Sequence, residues 1–246
     1  MSLSHESTEH KGRNKDGSGR AVTRHEDPYL IEAEIVGDED ILFHRYDAQV
    51  VADKAAAAKG SKTKKEDNID SYVYRDDKNR LVMPGENIKA SICNAAKSTQ
   101  DPRSTGRKGA KDLMRAGIKI KGSYPFQVEN EERQTWEFVD ARRVVVQQSA
   151  VTRRRPGLRS GWRLKFQISV ILPEYISEEL LNEILVRAGK TCGIGDFRPD
   201  FGTFRVTSFQ RLKLVDLDFA ATWVAANELA RVLRCREAPV RYGSVW

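Results

Sequence analysis

WRLKFQISVI, residues 162–171, has the clearest secondary-structure pattern in this chain of 246 residues. Apolar side chains occupy every second position from Trp162 to Val170, and charged or polar side chains fill the positions between them. A period of two is typical of a β-strand that buries one face. Pro173 ends the strand, because proline cannot donate a hydrogen bond to a neighbouring strand. The pattern therefore predicts a sheet with one face in a core.

Two amphipathic helices and three further strands are predicted around this segment. Pro84-Gly85 opens a helix over 86–97, and Ser177 caps a second helix over 177–189. The other main strands are expected, in chain order, at 29–36, 139–147 and 204–214. The resulting order, β-α-β-β-α-β, is that of an α+β ferredoxin-like, RRM-type core.

Shorter elements are predicted as insertions in this core. Residues 41–47 are expected to form a hairpin with the first strand, and 72–75 to form one with 80–83. A short strand is predicted at 117–122, and a C-terminal helix at about 219–235.

We expect one domain over residues 28–246, with insertions at about 48–83 and 98–135. Residues 1–27 are polar and charged, which predicts a disordered basic tail. That start has no apolar segment of the secretory kind, and no stretch approaches the ~18 apolar residues of a membrane span. No membrane partner is therefore expected. The three cysteines form no CxxC pair and their odd count argues against a disulfide framework, which favours a reducing cytoplasm.

The strongest functional signal is a cluster of eight cations within residues 142–165, a segment without any acidic side chain. The cluster lies on the predicted connection between two strands, as a basic thumb-like loop. A formal net charge of +7 adds to the case for a polyanionic partner, and nucleic acid is the first candidate. The prediction fails if these guanidinium groups lie buried against carboxylates of the same chain. The eight cations are Arg142, Arg143, Arg153, Arg154, Arg155, Arg159, Arg163 and Lys165.

A glycine-rich segment, TCGIGDFRPDFGTF (191–204), is the second candidate site. Gly193 and Gly195 would let the backbone approach a phosphodiester chain, and Arg198 would supply charge. Phe197 would stack on a base. The alternative is a helix-to-strand turn whose aromatic side chains fill the core. Lys89, on the first helix, is a weaker addition.

No catalytic site is predicted, and His44 is the weak candidate. It could serve as the general base of a metal-independent ribonuclease, although a single histidine on a strand is more often structural or stacks on RNA. No Cys/His cluster has zinc spacing, and Gly189-Lys190-Thr191 lacks the earlier glycine of a P-loop. No metal or other cofactor is therefore predicted.

Two segments resemble the RAMP superfamily, above all the Cas7-type backbone subunits of CRISPR effector complexes. LVMPGENIKASICNAAKS (81–98) is similar to the Pro-Gly start of the first helix, and GIGDFRPDFGTFRV (193–206) to the loop that enters the last strand. The long basic connection resembles the Cas7 thumb, so the likeness spans roughly 29–215. Glu86 and Asn87 depart from the small hydroxyl residues of the family, and the chain is short for it. It resembles a compact, solitary relative of the kind that a phage could carry.

The resemblance implies non-catalytic binding of single-stranded RNA (or single-stranded DNA), as a guide-RNA-binding backbone-type subunit in a bacterial or phage-infected cell. Binding would depend on phosphate contacts, which position a strand without reading its sequence. It also implies a homo-oligomer or head-to-tail filament. Two alternatives stay open: a structural or interaction protein that imitates or caps a RAMP-type assembly, and a metal-independent endoribonuclease.

Overall fold

The computed structural model describes residues 27–58, 68–146 and 149–212. Within these ranges the helices are α1 (Ala48–Ala56), α2 (Gly85–Ala95), α3 (Lys111–Gly117) and α4 (Glu178–Thr191). The strands are β1 (Tyr29–Gly37), β2 (Ile41–Leu42), β3 (Val82–Pro84), β4 (Ile118–Lys119), β5 (Ser123–Pro125), β6 (Gln127–Val128), β7 (Glu131–Glu132), β8 (Phe138–Val146), β9 (Ser149–Leu158), β10 (Arg163–Val170) and β11 (Phe204–Leu212). The fold is α+β, as the sequence predicts.

The main sheet is antiparallel and runs β11-β1-β10-β6-β7, with β4 also paired to β10. Strand β10 confirms the predicted alternation, since Leu164, Phe166, Ile168 and Val170 are buried and the residues between them are not. These side chains join one hydrophobic core with the buried faces of α2 and α4. The helices therefore cover one face of the sheet and leave the opposite face without helical cover in the described chain.

Both predicted core helices are confirmed. Helix α2 buries Ile88, Ser91, Ile92 and Ala95 on one face, which is the spacing expected of an amphipathic helix. The hydroxyl of Ser177 accepts a hydrogen bond from the Leu180 amide and caps α4.

The second strand of the core is not the predicted one. Residues 139–147 lie mainly in β8, which pairs with β9 in a separate three-stranded sheet of order β2-β9-β8. The place beside β10 belongs to β4, which falls in the predicted strand at 117–122. The order β1-α2-β4-β10-α4-β11 keeps the ferredoxin-like β-α-β-β-α-β layout. Strand β8 pairs with β9 because closing a hairpin between adjacent segments costs little chain entropy.

Two smaller predictions have different outcomes. Residues 41–47 do not pair with β1, because β2 pairs with β9 through Ile41 and Leu158. The pairing of 72–75 with 80–83 is confirmed by the bridge between Arg75 and Leu81. The predicted thumb-like loop is thus mainly a β-hairpin, β8–β9, which we call the arginine hairpin.

The turn after β1 joins the three parts of the fold. The indole of Trp162 is buried and donates to the Glu39 carbonyl at 2.9 Å. The amide of Gly202 donates to the Asp40 carbonyl at 2.8 Å, and the amide of Asp196 to the Leu42 carbonyl at 2.9 Å. These bonds hold the glycine-rich segment against β2, and β2 holds the arginine hairpin.

The predicted tail at 1–27, apart from its last residue, and the predicted helix at 219–235 lie outside the described residues. None of the helices that the structure describes is long and apolar enough to cross a membrane.

Candidate nucleic-acid interface

A groove runs between helix α2 and the glycine-rich segment. It consists of two adjoining cavities that share Gly195, Asp196 and Arg198. The inner cavity has a volume of about 240 Å³, and its remaining lining residues are Phe43, His44, Tyr74, Met83, Asn87 and Ala90. The outer cavity, of about 480 Å³, is further lined by Asn94, Thr191, Cys192, Phe197 and Pro199.

Helix α2 supplies one wall through Asn87, Ala90 and Asn94, which share a helix face because they are three and four residues apart. Lys89 lies about 200° around the helix from Asn87, at 100° per residue. Its ammonium donates to the Ile118 carbonyl at 2.7 Å. The predicted contact of Lys89 with nucleic acid is therefore not part of this groove.

The glycines of the opposite wall are required by the packing of the protein itself. Gly193, Gly195 and Gly202 all have positive φ angles. A Cβ on Gly195 would lie 2.6 Å from the Leu42 carbonyl oxygen, and one on Gly193 would lie 2.8 Å from that of Gly202. Fold geometry thus explains both glycines, and their approach to a phosphodiester chain stays a prediction.

Arg155 ties the arginine hairpin to the glycine-rich segment. Its Nε donates to Asp196 Oδ2 at 2.7 Å, and its guanidinium lies 4.7 Å from the centre of the Tyr72 ring. Burial opposes ionisation of Asp196, but hydrogen bonds from Arg155 and the Phe197 amide outweigh it and lower the pKa of Asp196. Arg155 is only 2% exposed, so it has no surface to offer a phosphate. The sequence predicts that Arg155 contacts nucleic acid, and its burial against Asp196 contradicts that prediction.

Arg142 makes a second contact of the same kind. Its guanidinium is held by Asp140, with Nε 2.6 Å from Oδ2, and lies 4.7 Å and 4.6 Å from the ring centres of Phe197 and Phe201. Cation–π contacts of this geometry are attractive. One face of Phe197 is therefore occupied by Arg142, and base stacking on the other face stays a prediction.

The remaining cations divide into paired and unpaired groups. Arg159 pairs with Asp40 at 2.8 Å, Arg163 with Glu34 at 3.1 Å and Lys165 with Glu32 at 2.6 Å. Among the arginines of the hairpin and of the groove, four have no carboxylate partner within the described ranges, and we call these the free arginines: Arg143, Arg153, Arg154 and Arg198.

The free arginines of the hairpin lie on both of its faces. Arg153 lies opposite Arg142, so both point to the face that contacts the glycine-rich segment. Arg154 lies opposite Ala141, and Arg143 opposite Thr152, so these two arginines share the other face. Both are exposed. The hairpin therefore presents positive charge towards the groove and towards solvent.

His44 stands on the rim of the inner cavity. Its Nδ1 is 3.5 Å from Asp196 Oδ2, and its ring meets Tyr72 edge to face with centroids 5.6 Å apart. Burial and, second, the positive charge of Arg155 lower the pKa of His44. The charge of Asp196 raises this pKa and that of Arg153 lowers it, with a net lowering. The imidazole is therefore neutral near pH 7, which is the form that accepts a hydrogen bond or a proton.

A His44→Gln variant should lose less stability than the wild type when the pH falls from 7 to 5. The unfolded chain takes up a proton near pH 6.5, whereas folded His44 resists protonation to a lower pH. The contribution of His44 to the free energy of unfolding is thus complete above pH 6.5 and decreases below it. Urea titrations at several pH values measure this difference, and the other three histidines are common to both proteins. Parallel pH profiles would contradict the assignment.

The uncovered face of the main sheet has a different character. Leu30, Glu32 and Glu34 of β1 lie on this face. The two glutamates pair with Lys165 and Arg163 of β10. The described strands place no aromatic side chain on this face. Stacking of bases on the sheet, as in an RRM, has no support here. The groove is the better candidate site.

Several residues of the site were not predicted. Asp40, Asp196 and Tyr72 hold arginines that are distant in sequence, and no local pattern identifies such partners. Asn87 and Asn94 were not singled out as ligand contacts, although their spacing on a predicted helix could have identified a shared polar face. No group of three or more metal-ligating side chains occurs among the described residues.

No protein-family model and no curated protein matches the sequence. Among solved structures, a chain of "Cryo-EM structure of the Type III-B Cmr-beta bound to cognate target RNA" is similar, with a TM-score of 0.49 and 11% sequence identity. The match covers 76% of this chain and 61% of that chain. Similarity at this level is a remote likeness of fold, and the family of the chain stays a prediction from the sequence.

Proposed function

We propose that this chain binds single-stranded RNA along the groove and the adjoining arginine hairpin without cleaving it, mainly through phosphate contacts. The observation that carries the proposal is the set of free arginines: Arg143, Arg153 and Arg154 on the hairpin and Arg198 on the groove wall. Five of the eight clustered cations are paired within the chain, yet these arginines have no carboxylate partner in the described ranges. Arginine binds phosphate oxygens in a bidentate manner.

The charge and the aromatic side chains of the groove favour a single strand over a duplex. Proteins that bind single strands combine a positive groove with aromatic side chains on which bases stack. Phe197 and Tyr74 line the groove beside Arg198, so charge and rings occur together there. The preference for RNA over DNA is supported only by the resemblance of the two sequence motifs.

Further parts of the proposal concern context. As a compact Cas7-like subunit, the chain would act in the cytoplasm of a bacterial or phage-infected cell and repeat along the RNA as a filament. The filament is supported only by the resemblance of the long basic connection to the Cas7 thumb. The region 28–246 would act as one domain.

Binding of fluorescent oligonucleotides, followed by anisotropy, tests the proposal. We expect single-stranded RNA to bind more tightly than duplex RNA, more tightly than single-stranded DNA, and less tightly as salt rises. The RNA should stay intact on a denaturing gel, and light scattering should show several copies on a long strand.

Each contrary result would remove one part of the proposed function. Absence of RNA binding, with no excess absorbance at 260 nm in the purified protein, would favour the interaction-protein alternative. Cleavage that disappears in His44→Ala would establish the endoribonuclease instead. Equal affinity for DNA would remove the preference for RNA, and a monomer on long RNA would remove the filament.

A further inference from the structure

The lining residues of the inner cavity suit the binding of one flat ring. Phe43 and Met83 are buried at its base, and Tyr74 and His44 stand at its sides. Its volume of about 240 Å³ is below the ~300–1,000 Å³ of pockets that enclose a drug-sized molecule. The cavity has room for a ring system rather than for a longer stretch of nucleic acid.

The charges of the cavity favour a phosphate at its Arg198 side over its Asp196 side. Asp196 contributes its carboxylate to the wall, and a phosphate there would face a like charge. Arg155 neutralises that carboxylate at 2.7 Å, which leaves exposed Arg198 as the uncompensated charge among the residues that line the cavity. A neutral base is compatible with such a wall, whereas the phosphates belong at the rim with Arg198.

Asn87 supplies an incompletely used hydrogen-bonding group. Its amide nitrogen donates to Met83 Sδ at 3.4 Å, and a thioether is a weak acceptor. Its amide oxygen has no hydrogen-bond partner among the described residues. An asparagine amide offers a donor beside an acceptor, and the base that matches this pair best is adenine, through N6 and N7.

We propose that the inner cavity receives one unpaired purine base, adenine in the first instance, and reads it through the Asn87 amide. This inference rests on the proposed function and adds to it a sequence preference that phosphate contacts alone do not provide. The strand would lie along the groove with its phosphates at the rim and turn one base inwards between the side chains of His44 and Tyr74.

The test compares homo-oligomers of A, U and C of equal length, labelled with a fluorophore and titrated with the full chain. The wild type should bind the A oligomer about tenfold more tightly than the U oligomer. Asn87→Ala should abolish this preference, so that the A and U oligomers bind with equal affinity. Asn94→Ala is the matched control, because it removes the same amide from the same helix face but from the outer cavity. It should keep the preference.

A second variant tests the cavity even if Asn87→Ala does not fold. Ala90 is exposed on α2 and lines the inner cavity, so Ala90→Leu fills the cavity without disturbing the core. It should also abolish the preference for A, with a thermal unfolding curve like that of the wild type.

The outcomes separate the two proposals. Equal affinity of the wild type for A, U and C overturns this inference and leaves RNA binding intact. A preference that persists in both Asn87→Ala and Ala90→Leu also overturns it. Failure of the wild type to bind any oligomer contradicts the proposed function itself, and this inference with it.

Discussion

The triple variant Arg143→Ala, Arg153→Ala, Arg154→Ala should bind single-stranded RNA with a salt dependence that is shallower by about 2 in the slope of log K against log salt. Each phosphate contact on a single strand contributes about 0.7 to that slope through counterion release. These three side chains have no carboxylate partner in the described part of the chain, so their removal leaves no buried charge behind. The measurement is anisotropy over a series of salt concentrations.

A second triple variant provides the control for net charge. Arg107→Ala, Arg115→Ala and Lys121→Ala remove three exposed cations that belong neither to the arginine hairpin nor to the groove lining. Both variants reduce the formal charge from +7 to about +4, by subtraction of three cations. If the two variants have the same slope, the salt dependence reflects net charge alone, and the hairpin is not a contact surface for RNA.

Arg155→Ala should lower the free energy of unfolding by about 2–3 kcal/mol. The substitution removes a side chain that is 3% exposed and leaves the Asp196 carboxylate without its main donor. The loss is set at the lower end for a buried pair because Asp196 keeps 28% of its surface exposed and retains the Phe197 amide. Equilibrium unfolding in urea measures it.

Arg159→Ala is the matched control for this prediction. Arg159 also pairs with an aspartate, Asp40, but its side chain is 64% exposed. Exposed pairs contribute only about 0.2–1 kcal/mol, so the cost of this substitution should stay below 1 kcal/mol. If both variants lose the same stability, burial of Arg155 has no energetic role.

The parts of the fold that depend on local periodicity could be predicted from the sequence. Strand β10 and helices α2 and α4 each bury one face, and the alternation of apolar and polar residues marks that face directly. Caps and breakers gave the helix starts, as with Pro84-Gly85 and Ser177.

Strand pairing could not be predicted in the same way. Strand β8 has a clear strand composition, but nothing in its residues distinguishes a place in the core sheet from a place in a hairpin with β9. The strand that takes the core position, β4, is two residues long. Its signal is weak because most of its stability comes from packing against its neighbours.

The candidate site shows the same division. The clustered arginines are evident from composition, but which of them are neutralised is a property of the fold. Asp196 is 41 positions from Arg155, and Asp40 is 119 positions from Arg159. The free arginines could be identified only after these distant carboxylates had been placed.

Asp196 has two roles, since it binds Arg155 of the hairpin and also forms part of the cavity wall. Local opening of the hairpin would therefore also release the wall, so the two regions belong to one cooperative unit of hydrogen exchange. The core strands β1 and β10 pair with each other along residues 29–36 and 163–170, and they would keep their protection while that unit opens.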